Sequence, residues 1–151
     1  MNMSAERNMN ALRRWLTSRW LRRIALLLIC AAYLQGGLTK AWNFAGAIAE
    51  MQHFGLQPAA PMAALVIVVE LGAALLIISG YRRWLGALVL AAFTVAATFV
   101  ANRYWAAPAA EQAMLANAFF EHLGLAGAFV LIAWHDLAPH DLASHEPEER
   151  R

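Results

Sequence analysis

The chain has 151 residues, of which 61% are hydrophobic and only 15% carry a charge. A soluble domain has about 45–50% apolar and about 25% charged residues, and a chain this short cannot bury such an apolar excess in one core. The composition therefore excludes a water-soluble enzyme, and a net charge of +2 gives no reason to expect a nucleic-acid partner.

The first 22 residues form a basic segment ahead of any predicted span. One side of its helical projection is apolar and contains Met9, Leu12, Trp15, Leu16 and Trp20. This pattern is typical of a helix that lies on the membrane surface. A frayed basic tail that only follows the positive-inside rule accounts for the same residues, so both interpretations stay open.

Four stretches with almost no charge predict membrane spans at about 23–41, 60–81, 83–102 and 115–135. Each is close to the roughly 20 apolar residues that a helix needs to cross a bilayer. The prolines fall in loops or in the first turn of a span, where a helix tolerates them. The predicted fold class is an all-α membrane protein, an antiparallel bundle of four transmembrane helices whose first partner is the lipid bilayer.

Ten of the twelve basic residues lie before span one, between spans two and three, or at the chain end. Only Lys40 and Arg103 lie on the other side, which predicts both termini inside a bacterial inner membrane. Residues 136–151 then form a cytoplasmic tail. Because the histidines His135, His140 and His145 do not share a helix face, we interpret the tail as solvated and acidic rather than as a metal site.

Each span has one stripe of small or polar residues, the kind of face through which membrane helices pack closely. In spans one to four these stripes include Gly36, Ala73, Thr94 and Gly124, respectively. Asn117 and Glu121 share the stripe with Gly124, so we expect this side of span four to pack against other helices. Leu26, which lies off these stripes, is expected to have the freedom to face lipid.

Polar residues in three of the spans lie at similar depths. Counted from the cytoplasmic ends at ~1.5 Å per residue, they lie roughly 18–25 Å in and predict one polar pocket open to the outside. The candidates are Gln35, Lys40, Glu70, Asn117, Glu121 and His122. Because a charge at that depth costs roughly 2.5–3.5 kcal/mol, Lys40 is expected to lie near Glu70. The pair is either a lock that fixes helix register or a site for a proton or ligand.

The residues that common membrane redox centres require are missing from this sequence. The single cysteine, Cys30, excludes an internal disulfide and the thiol pairs of disulfide-forming quinone enzymes. A haem held between two histidines needs a second histidine at the depth of His122. No phosphate-binding loop or nucleophile motif is present. We therefore expect no self-contained catalytic motif, no metal site and no covalently bound cofactor.

Short motifs in and after span one suggest a family. They are Gly36-Gly37-Leu38-Thr39-Lys40, then Met51-Gln52-His53-Phe54-Gly55-Leu56-Gln57-Pro58, then Glu70-Leu71-Gly72, with Gly80 at the end of span two. In these motifs the chain resembles the DoxX family of small four-helix bacterial membrane proteins, over about residues 23–134. Lys40 and Glu70 match the charged residues typical of the family. Glu121 and His122 stand where the family usually has Lys and Asn, so a ligand preference that depends on that Lys would not transfer.

The resemblance implies an accessory or quinone-contacting subunit of a membrane oxidoreductase or stress-defence system. Quinone is then the implied cofactor, and a membrane or redox-enzyme subunit is the implied protein partner. A homo-oligomer of this chain is a further expected assembly. A small-solute or proton-linked carrier is the alternative function from another class. A structural assembly factor is a third interpretation, and the sequence does not choose among them.

Overall fold

The computed structural model describes residues 3–138, and every regular element in this range is helical. In chain order the helices are α1 (Met3–Leu16), α2 (Arg19–Trp42), α3 (Phe44–His53), α4 (Ala59–Ser79), α5 (Arg83–Ala101) and α6 (Ala109–Leu137). A short 3₁₀ helix, Tyr104–Ala106, follows α5. The expectations for His140, His145 and the rest of the tail lie outside the described residues.

Four of the helices are long and apolar enough to cross a membrane. They are α2, α4, α5 continued through the 3₁₀ helix, and α6. The predicted four-span helical fold is therefore confirmed. The fourth helix begins at Ala109 instead of near residue 115, and the first begins at Arg19. The N-in/C-in orientation stays a prediction.

The four long helices surround one core. Helix α4 packs against both α2 and α5, and α6 packs against α5. Cys30, Ile77, Leu90 and Phe129, one from each long helix, are fully buried in this core. Gly86 allows α5 to approach α4 closely, because a Cβ atom there would lie 2.6 Å from the Ala73 carbonyl oxygen.

The connection between the first two spans contains a helix that the sequence did not predict. Asn43 ends α2 and begins α3, since its side-chain oxygen accepts a hydrogen bond from the Gly46 amide at 3.0 Å. Ala47 and Met51 of α3 pack in a second small core with Ala59 and Ala63 at the start of α4. Helix α3 therefore lies against one end of the bundle, in a segment where the sequence predicted no helix.

The opposite end of the bundle is held by Asp136, near the end of α6. Its carboxylate accepts hydrogen bonds from the Trp84 backbone N–H at 3.1 Å and from Arg83 at 3.3 Å. Arg83 also donates from Nε to the Ile77 carbonyl oxygen at 3.0 Å. The carboxylate thus satisfies an amide in the first turn of α5, where the helix dipole favours negative charge.

Two packing expectations are wrong. Gly124 is exposed, and a Cβ atom built on it would meet nothing within 4 Å, so α6 does not pack through this stripe. The buried face of α6 instead contains Phe119 and Phe129, whose large rings bury far more apolar area than a glycine can. Leu26 is buried in the core rather than turned to lipid.

At the N-terminus the structure has helix α1, and its position on the membrane surface stays a prediction.

Candidate functional site

A cavity of about 430 Å³ lies between the helices at the end of the bundle that α3 covers. Side chains from α2, α3, α4, α5 and α6 line it. Its apolar wall includes Met51, Met62, Val66, Phe93, Val100 and Leu125. The polar side chains on its wall are Tyr33, Lys40, Glu50, Glu70, Thr94 and His122. The cavity is thus an apolar space with a small group of polar atoms on its surface.

An ion pair between Lys40 and Glu70 joins α2 to α4 at this cavity. The ammonium Nζ lies 3.3 Å from Oε1 and 3.5 Å from Oε2 of Glu70. The Glu70 side chain is 9% exposed and the Lys40 side chain 16%. Gly36 lies directly beside the pair, since a Cβ atom on it would lie 3.4 Å from Glu70 Oε2. Each charge offsets the cost of burying the other.

Glu50 is a third charged residue at this site, and sequence reasoning missed it. Its Oε1 atom lies 3.8 Å from Lys40 Nζ, and its side chain is 42% exposed. Lys40 therefore lies between the buried carboxylate of Glu70 and a more accessible carboxylate on α3. The signal in the sequence is the short apolar pattern of Ala47 and Met51, which places Glu50 beside the buried face of a ten-residue helix.

His122 contributes an imidazole to the cavity from α6. Its Nδ1 lies 2.6 Å from the carbonyl oxygen of Ala118 and 3.2 Å from the side-chain amide of Asn102. A carbonyl oxygen can only accept, so Nδ1 carries the proton and donates it to Ala118. In the neutral ring this leaves Nε2 as the hydrogen-bond acceptor.

Tyr33 and Thr94 link α2 to α5 where the cavity meets the core. Their hydroxyl groups are hydrogen-bonded to each other, and the Thr94 hydroxyl also donates to the Leu90 carbonyl oxygen at 2.5 Å. Tyr33 therefore donates to Thr94, since the Thr94 proton is already used. The Tyr33 ring packs edge-on against Phe93 and Phe129. These contacts fix the phenol in one position.

The structure brings three of the six candidate residues together and leaves three outside. Lys40, Glu70 and His122 line the cavity. Gln35, Asn117 and Glu121 are exposed and do not line it.

Adjacent residues on a helix point about 100° apart, which follows from 3.6 residues per turn, and α6 is turned so that His122 lines the cavity while Glu121 is exposed. Gln35 donates a hydrogen bond to the hydroxyl of Thr39, one turn along α2, at 3.2 Å.

This arrangement suits an uncharged ligand with an apolar body and polar atoms at one edge. Lys40 can donate a hydrogen bond to such a ligand, and the two carboxylates and His122 can accept one. Among the side chains that the structure describes, no group of three histidine, cysteine or acidic residues is close enough to hold a metal ion. The polar side chains on the cavity wall can form hydrogen bonds and exchange protons beside an apolar surface.

Comparison with known families adds one match. The DoxX family model matches residues 21–103, which contain α3, α4 and α5 and nearly all of α2. Lys40, Glu50 and Glu70 lie inside the match, whereas α6 and its His122 lie beyond it. No curated protein and no solved structure matches the chain. The match covers more than half of the chain, and this integral membrane protein therefore belongs to the DoxX family.

Proposed function

We propose that the protein is an accessory, quinone-contacting subunit of a membrane oxidoreductase or stress-defence system in a bacterial inner membrane. The observation that carries this proposal is the buried Lys40–Glu70 pair on the wall of a largely apolar cavity inside the bundle. Electrons for the quinone would come from a redox-enzyme partner subunit. A second copy of the chain could complete the assembly.

The cavity has the size and chemistry that a quinone headgroup needs. Its volume of about 430 Å³ lies within the roughly 300–1,000 Å³ of small-molecule sites. Apolar side chains such as Phe93 and Leu125 provide surfaces for the ring and its substituents. A quinone oxygen accepts hydrogen bonds, and Lys40 has three N–H donors for its two carboxylate neighbours and a ligand. His122 Nε2 can accept the hydroxyl proton of the reduced form.

Binding of a short-chain quinone to the purified protein tests this function. The dissociation constant is measured by titration calorimetry in detergent for the wild type and for Lys40→Met. A hydrogen bond to a charged donor contributes about 1.5–3 kcal/mol, so Lys40→Met should weaken binding roughly tenfold to a hundredfold. Ala97→Leu, which fills the cavity from α5, should weaken it as well.

Gln35→Leu is the matched control, because Gln35 is on the same helix as Lys40 but outside the cavity. It should bind quinone as the wild type does. Equal losses in the Gln35 and Lys40 variants, or no saturable binding by the wild type, would contradict the quinone site.

A proton-linked carrier is the second candidate function. It is favoured by the position of Lys40 between a buried carboxylate, Glu70, and a more exposed one, Glu50. In vesicles that contain a pH-sensitive dye, such a carrier should move protons with its solute, and Glu50→Gln should slow this movement. Transport without quinone binding would favour this candidate. A structural assembly factor, the third interpretation, should show neither activity.

A further inference from the structure

Helix α1 has an apolar face that the bundle does not cover. Met9, Leu12, Trp15 and Leu16 are between 53% and 68% exposed. The helix is followed at once by α2, which begins at Arg19, so α1 lies within two residues of a membrane-spanning helix. An apolar helix face in this position can be buried in the boundary between lipid headgroups and acyl chains.

A basic strip of α1 beside this apolar face forms a shallow pocket. Asn10, Arg13, Arg14 and Thr17 line this pocket. Because a helix turns roughly 100° per residue, the directions of Asn10, Arg13 and Arg14 differ from that of Met9 by about 40–140° around the helix axis. Among the described side chains, no carboxylate forms an ion pair with either arginine. Two guanidinium groups and an amide are therefore available as donors, directly beside the apolar face.

The start of α2 marks the level of the membrane boundary. Arg23 lies over the ring of Trp20 at 5.4 Å from its centroid. Trp is enriched at the headgroup level of membranes, and an Arg beside it can extend its charged end toward lipid phosphates. Trp20 is exposed, as are Met9, Leu12, Trp15 and Leu16 of α1. We therefore expect the apolar face of α1 and the first turn of α2 to meet the same layer of the bilayer.

We propose that α1 is a binding site for anionic phospholipid, with Arg13, Arg14 and Asn10 on the phosphate and Leu12 and Leu16 among the acyl chains. Guanidinium groups bind phosphate oxygens in a two-pronged geometry that suits this pocket. The apolar face selects a lipid over free phosphate, because only a lipid also covers Leu12 and Leu16. This site is separate from the cavity and does not depend on the proposed function.

Lipid binding by the full-length protein in detergent tests the site. Native mass spectrometry gives the affinity for phosphatidylglycerol relative to phosphatidylcholine. Each cation near anionic headgroups strengthens attraction about fivefold, so the double variant Arg13→Gln/Arg14→Gln should lose roughly 25-fold in this preference. The control variant Arg82→Gln/Arg103→Gln removes the same amount of charge from two loops and should keep most of the preference for phosphatidylglycerol. Circular dichroism should show the same helix content in both variants.

Two further measurements separate lipid from free phosphate. Leu12→Ser/Leu16→Ser should weaken binding of both lipids while keeping the preference for phosphatidylglycerol. Inorganic phosphate should not displace the lipid from the wild type. Displacement by phosphate would show a site for the free anion and overturn the proposal. An unchanged preference in Arg13→Gln/Arg14→Gln, or an equal loss in the loop variant, would also overturn it.

Discussion

The ion pair between Lys40 and Glu70 can be tested by a cycle of substitutions that measures how much the two residues depend on each other. The cycle consists of Lys40→Met, Glu70→Gln and the variant that carries both. Each substitution keeps the approximate shape of the side chain and removes its charge. The free energy of unfolding is measured for all four proteins in the same detergent.

The structure predicts that the two single substitutions differ in cost. Lys40→Met removes the ammonium from Glu70, whose side chain is only 9% exposed, and Glu50 remains nearby as a second negative charge. Breaking a buried pair in this way costs about 3–5 kcal/mol. Glu70→Gln leaves Lys40 with the Glu50 carboxylate, 3.8 Å away. We therefore expect the smaller cost of a weakened charged hydrogen bond, about 1–2 kcal/mol.

The double variant should be more stable than Lys40→Met alone, because neither charge is then left buried without its partner. A coupling of at least about 1 kcal/mol is expected for residues in direct contact. Gln35→Leu, on the exposed side of α2, controls for the loss of a polar group in the membrane. Additive losses, or a Glu70→Gln variant as unstable as Lys40→Met, would refute this account of the pair.

Three further predictions concern packing, the Asp136 contact and topology. Gly124→Leu should change the free energy of unfolding by less than about 0.5 kcal/mol, since a Cβ atom at this position meets no other atom within 4 Å. Gly86→Leu should lower the free energy of unfolding by about 3 kcal/mol or more, because the new side chain collides with α4. Asp136→Ala should cost about 1–2 kcal/mol by leaving the Trp84 N–H without its acceptor, which thermal unfolding will show. Reporter fusions at the C-terminus and at Pro108 should give cytoplasmic and external signals, respectively, and the reverse pattern would refute the orientation.

Hydropathy and depth predicted the parts of this protein that depend on crossing a membrane. Each spanning helix needs a long apolar stretch, so four such stretches were enough to predict the bundle. Counting residues from the cytoplasmic ends of the spans predicted similar depths for Lys40 and Glu70, and in the structure the two side chains are in contact. The cost of a single charge in lipid makes such a pairing predictable, because few other partners exist at that depth.

The features that the sequence did not reveal depend on local packing rather than on the membrane. Helix α3 has only ten residues and lies over one end of the bundle, so a search for spans passes over it and over Glu50. The sequence also did not predict which face of α6 is turned toward the inside of the bundle. Glu121 and His122 are neighbours with similar polarity, and depth alone cannot say which one points inward.

The rotation of α6 decides what the cavity can bind, and aromatic burial decides the rotation. Phe119 and Phe129 are buried, and both lie on the same side of the helix as His122. A helix turned to bury Glu121 would expose these rings and add a third carboxylate near Glu50 and Glu70. With His122 inward, the cavity gains an imidazole instead of a third carboxylate, and Lys40 is the one lysine or arginine among the described residues that line it. Apolar packing on α6 thus sets the charge balance of a site whose ion pair lies on α2 and α4.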